Sequence, residues 1–194
     1  MRWLSYRIFT ALGWRVEGEL PDIPKMVIIG APHTSNWDFF LFLAVIYHFG
    51  IRVSFLGKAG LFRWPFGFMF RKVGGIPVDR SKGGGLVGQV ASAFDAHERM
   101  ILVVAPEGTR AAAASWKSGF AEIAHGADVP VVFAGVDGPS KTIFIGPPEK
   151  VGQDRGEFMD RVRAFYADKP GIDPSGKSAV RLADEGSTTA QQDV

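Results

Sequence analysis

The sequence predicts a single α/β domain with a mostly parallel or mixed central sheet flanked by helices. Three observations lead there. Short apolar runs rich in Val and Ile recur along the chain without polar alternation, as expected of strands covered by helices on both faces. Segments with helical spacing of apolar residues lie between those runs. The chain has 194 residues, of which 46% are hydrophobic and 22% charged, enough for one ordinary core and too short for two.

Taken in order, the N-terminal stretch MRWLSYRIFTALGWRV carries apolar residues at Trp3, Leu4, Ile8, Leu12 and Val16, broken by Arg2, Arg7 and Arg15. The breaks and the missing cleavage site exclude a secretory signal, so the cytoplasmic side is expected. Residues 1–16 read either as a helix lying in a membrane interface or as an amphipathic helix docked on the core. Strands are expected over 26–29, 52–56, 76–78, 101–105, 129–134 and 142–145. Helices are expected over 37–49, 61–73, 85–97, 117–126 and 156–167. The apolar run 39–51 is too short to span a bilayer. Residues 1–170 form the expected domain, and 171–194 read as a polar tail ending GSTTAQQDV.

Composition narrows the chemistry. The chain has no cysteine, which removes disulfides, thiolate metal sites and cysteine nucleophiles. Its four histidines are His33, His48, His97 and His125. Net charge is +2, yet Arg52 to Lys82 holds seven cations against Asp79 alone, with Phe62, Trp64, Phe66, Phe68 and Phe70 interleaved. Rings mixed with Lys and Arg suit an anionic lipid surface or a phosphate-bearing substrate. Nucleic acid, the other usual reading of a basic patch, is not expected as a partner. The bland reading is an aromatic core beneath a solvated rim.

Three motifs carry chemistry. His33-Thr34-Ser35-Asn36-Trp37-Asp38 follows the strand MVIIGA and opens an apolar helix, a turn where side chains stand at the sheet's edge. His33 can take a proton from a hydroxyl, with Asp38 holding its other nitrogen. Asp38 could equally cap the helix. Ala105-Pro106-Glu107-Gly108-Thr109-Arg110 follows the buried run ILVV, and Arg110 offers a planar fork for phosphate. Pro-Glu-Gly is also good turn chemistry. Gly74-Gly75-Ile76-Pro77-Val78-Asp79-Arg80 supplies a second candidate arginine, or merely a surface ion pair.

These blocks together resemble the glycerolipid acyltransferases, the group that includes lysophosphatidic acid acyltransferase. His33 to Asp38 matches their H-x4-D motif, GGIPVDR their second block, PEGTR their third and Val129-Pro130-Val131-Val132 their fourth, after Lys117-Ser118-Gly119. The likeness covers roughly Lys25 to Val136. It implies an α/β O-acyltransferase with acyl-CoA or acyl-carrier protein as donor and a lysophospholipid or glycerol phosphate as acceptor. It further implies a membrane surface as partner, attachment that is peripheral or monotopic, and neither cofactor nor metal. His33 and Asp38 would be catalytic. Arg80 and Arg110 would hold the acceptor phosphate, Glu107 and Gly108 would line its glycerol side, and Thr109, Lys58 and Gly75 would complete the substrate site. The chain departs from the pattern at Pro32 (commonly Asn), Ala105 (Phe) and Ala111 (often Ser), which bears on the acceptor.

Other readings stand beside this one. Gly83-Gly84-Gly85-Leu86-Val87-Gly88 fits a dinucleotide fingerprint but is separated from its strand by Asp79 to Lys82, leaving a nucleotide-binding oxidoreductase as the alternative enzyme. Gly171 to Ser178 fits the phosphate-loop pattern, yet a helix and Pro170 precede it where a strand is needed. A non-catalytic lipid-binding module on the same fold is the third.

Overall fold

The structure is a computed structural model that describes residues 7, 9–63, 67–72, 74–78, 85–183 and 185. Its core is a mixed five-stranded sheet in the order β1-β7-β6-β2-β5. These are β1 Arg15–Glu17, β2 Lys25–Ala31, β5 Met100–Val104, β6 Val131–Asp137 and β7 Thr142–Glu149. All neighbours run parallel except β6 and β7, which are antiparallel. A two-stranded parallel ribbon, β3 Phe55–Lys58 with β4 Gly75–Val78, extends the sheet beyond β5. The junction is at Ser54, whose N–H donates to Ile101 O at 2.7 Å and whose carbonyl accepts from Val103 N–H at 2.9 Å.

Strand period two sorts the side chains of β2, β5 and β6 onto opposite faces. Val27, Ile29, Leu102, Val131 and Phe133 pack under helices α3 Gly85–Ala96, α4 Gly119–Gly126 and α5 Arg155–Tyr166, which contribute Val90, Phe94, Phe120, Phe158 and Tyr166. Met26, Ile28, Ile101 and Val132 face the other way, toward Phe9, Ile143 and Ile145. That second face is closed less fully. Helix α1 Trp37–Phe49 lies over it but contains no buried residue. It ends at Gly50, whose φ of +65° permits a left-handed cap with its N–H on Ile46 O.

Most expected elements are present, with three differences. The helix expected over 61–73 is a 3-10 turn, Ala59–Phe62, and a short helix α2, Gly67–Lys72, while residues 64–66 and 73 lie outside the described residues. Arg15 and Val16, read as the end of a helix, form β1 against β7, because Gly13 at φ +83° turns the chain after Ala11. Phe9 is buried in the core, while residues 1–6 and 8 lie outside the described residues. The expected tail begins as packed structure: Ser178 and Leu182 are buried. No helix among the described residues is long and apolar enough to cross a membrane.

Candidate active site

His33 follows β2 after one residue, Pro32, at the carboxyl end of the parallel strands where an open sheet leaves a crevice. Asp38 sits in the first turn of α1. Its Oδ2 lies 3.0 Å from His33 Nδ1 and also accepts the backbone N–H groups of Thr34 and Ser35 at 2.8 Å each. One carboxylate oxygen therefore organises the whole loop. An acid at a helix start is also favoured by the helix dipole. Nδ1 is committed to Asp38, which leaves Nε2 for chemistry.

Glu107 stands across from this loop. It is 3% exposed, and its Oε2 accepts the His33 backbone N–H at 2.6 Å. Burial pushes its pKa up, opposed by that hydrogen bond, by the His33 charge and by the nearby Ser178 hydroxyl, with the Asp38 charge adding to the rise. Oε2 is engaged by His33, whereas the buried Oε1 has no hydrogen-bond partner among the described residues. Glu107 thus ties the loop after β5 to the loop that carries His33.

A cavity of about 360 Å³ opens between α1 and the sheet. Its wall is almost wholly apolar, with Ile28, Val45, Val53, Val103, Ala134 and Ile143 among the lining residues. His33, Asp38 and Arg110 are its ionisable members. Gly30 faces the same space, and a side chain placed there would meet nothing within 4 Å. A second, more polar hollow between the starts of α3 and α4 is lined by Glu107 with Lys117 and Ser118.

The remaining expected residues are dispersed. Gly108 has φ +65°, and a Cβ there would lie 2.6 Å from Lys117 Nζ, so the glycine admits the lysine amine. Thr109 is exposed, its hydroxyl accepting Ala111 N–H at 3.2 Å. Gly75 is buried where Phe62 and the Phe70 carbonyl leave no space for a side chain, which explains the glycine by packing. Lys58 is on β3, with its side chain outside what is described, and Arg80 lies outside the described residues altogether. Gly83 and Gly84 also do, so the dinucleotide-like run is described only from the start of α3. No group of acids and histidines among the described residues is arranged to hold a metal.

The phosphate-loop pattern is resolved structurally. A 3-10 turn, Pro174–Gly176, occupies it, and no helix follows among the described residues. Lys177 Nζ donates to Tyr166 O at 2.9 Å and Ala167 O at 3.1 Å, satisfying the end of α5. Sequence reading missed what this segment does instead: Thr34 Oγ1 accepts Asp173 N–H at 3.0 Å, and Ser178 Oγ accepts Ala113 N–H at 3.0 Å. No local spacing announces contacts across so many residues.

Comparison with known proteins agrees with this layout. The Acyltransferase family profile matches residues 15–136. Among solved structures, the chain is similar to PlsC, the 1-acyl-sn-glycerophosphate (LPA) acyltransferase of Thermotoga maritima, at 20% identity and a TM-score of 0.55 over 84% of this chain and 74% of that one. None of the curated proteins matches.

Proposed function

We propose that this chain, which belongs to the acyltransferase family, moves a fatty acyl group from a thioester, acyl-CoA or acyl-carrier protein, to the hydroxyl of a lysophospholipid or glycerol phosphate. One observation carries the reading: the His33–Asp38 pair at 3.0 Å stands in the wall of an apolar cavity of about 360 Å³ with Arg110 also in that wall. A base, a space for a hydrocarbon chain and a phosphate-binding cation meet at one place.

In this reading the acceptor O–H gives its proton to His33 Nε2 as its oxygen attacks the thioester carbonyl. Asp38 holds the imidazole and offsets the charge it gains. Collapse of the tetrahedral intermediate breaks the C–S bond, and the imidazolium returns the proton to the departing sulfur. The acyl chain occupies the cavity beneath α1, Arg110 and Arg80 hold the acceptor phosphate, and Lys117 beside Gly108 adds a cation to that side. Glu107 fixes the loop that carries the base.

The same reading places the protein at a bilayer surface, peripheral or monotopic. Trp37, Phe39, Phe40 and Tyr47 on α1, with Phe68 and Met69 on α2, are large apolar residues left exposed. Such a group suits lipid.

Thiol release from acyl-CoA, followed over a panel of lysolipids and glycerol phosphate, tests the reaction. Release is expected only with an acceptor, and His33→Ala should lower it about 10²–10⁴-fold while leaving the fold intact. Release that continues in His33→Ala refutes His33 as the base.

A further inference from the structure

The segment after α5 lies outside the residues matched by the family profile, yet it touches both loops of the site. Gly171, at φ +81°, donates its N–H to Val136 O at 3.1 Å and packs on Thr34, where a Cβ would come within 2.8 Å of Oγ1. Asp173 N–H donates to Thr34 Oγ1 at 3.0 Å. Gly176 lies between Thr34 and the Arg110 carbonyl, with a Cβ position 3.2 Å from Thr34 Cβ and 3.0 Å from Arg110 O. The chain then runs along the loop after Arg110: Ser178 Oγ accepts Ala113 N–H at 3.0 Å, Ala179 N–H donates to Ala113 O at 3.1 Å, and Trp116 N–H donates to Arg181 O at 2.7 Å. Thr34 and Ser178 are both buried, at 7% and 4% exposure.

We propose that Gly171 to Leu182 is a strap belonging to the active site, in which Thr34 and Ser178 are positioning residues for His33. The physical need is clear. The loops bearing His33 and Glu107 leave different strands, and they meet through the 2.6 Å hydrogen bond from His33 N–H to Glu107. A third body bonded to both prevents them from sliding apart. Displacement of a catalytic group by about 1 Å can cost on the order of 10²-fold in rate. Ser178 has a further means of action: its oxygen accepts from Ala113, which leaves its proton to turn toward the Glu107 carboxylate. The strap thus acts on the base through the backbone of both motifs without touching substrate.

This inference rests on the proposed reaction for its kinetic test but not for its structural one. Thr34→Val, nearly isosteric, and Ser178→Ala each remove one hydroxyl. Each is expected to lower kcat about tenfold with KM for donor and acceptor unchanged, and Thr34→Ser to restore most of the loss. In the same variants the His33 ring signals in NMR, identified by their loss in His33→Ala, should move while those of His97 and His125 stay. If Thr34→Val does not fold, Ser178→Ala decides. Folded variants with unmoved His33 signals overturn the strap's role. His33 signals that move in the variants, with a wild-type protein devoid of acyl transfer, support the strap and sink the reaction instead.

Discussion

Replacing Glu107 separates the shape of a buried carboxylate from its charge. Glu107→Ala removes the acceptor of the His33 N–H, a charge-assisted hydrogen bond worth about 1.5–3 kcal/mol, and leaves the loop without its opposite wall. Glu107→Gln keeps an oxygen at the same point, so a neutral hydrogen bond of about 0.5–1.5 kcal/mol survives, and the cost of burying a charge disappears. The pH dependence follows from the sign of the shift. Burial raises the folded-state pKa of Glu107 above that of an unfolded carboxyl, so its contribution to stability is full below the unfolded value and is lost as pH rises through the folded value. The Gln variant has no such loss. Urea denaturation over a series from about pH 4 to pH 8 should show the Gln variant gaining on the wild type as pH rises, with Ala below both near neutrality. Turnover should fall about 10²-fold in Ala and far less in Gln, since Gln keeps His33 in place. A Gln variant as unstable and as slow as Ala, or a gap indifferent to pH, refutes the positioning role.

Further expectations can be checked separately. Arg110→Ala should raise KM for the acceptor roughly 10- to 100-fold, matching loss of one charge-assisted contact of about 1.5–3 kcal/mol, with kcat little changed; a rise confined to the donor would mean the arginine serves the other substrate. The protein should show no saturable ATP binding by calorimetry, because the Lys177 amine is taken up by two carbonyls at the end of α5. In vesicle flotation, anionic bilayers should retain the protein more than neutral ones and lose it at high salt. The double variant Trp37→Ser with Phe40→Ser should weaken retention at any salt, and equal retention of that variant would clear α1 of lipid contact.

The sequence made the site legible where chemistry is local. His33 and Asp38 are five positions apart on one turn, and the strand before them is unmistakably apolar, so their pairing could be anticipated. Helix α1 matched its expected span because a glycine closes it. Elements that depend on distant partners were harder to read. β1 is three residues long and exists through parallel pairing with β7, more than a hundred residues away. The resemblance of the PEGTR block pointed to Glu107 but not to its burial or its hydrogen bond with the His33 backbone, which depend on a loop seventy-four residues earlier. Ser178 was hidden inside a pattern borrowed from another chemistry. The Pro174 that argued against a phosphate loop also makes the short turn that aims Lys177 back at α5.

Helix α1 is rich in apolar residues yet has none buried, and the sheet beneath it faces a cavity. Such a helix has given up packing that the fold could have used, and it should exchange its amide hydrogens faster than α5, which anchors Phe158, Met159, Val162 and Tyr166 in the core. A hydrocarbon chain entering the cavity would supply the missing interior at about 0.8 kcal/mol for each methylene removed from water. The substrate then becomes a temporary core residue. Melting temperature should climb with the concentration and length of a bound acyl chain until the space under α1 is full, and methylenes beyond that length should add nothing.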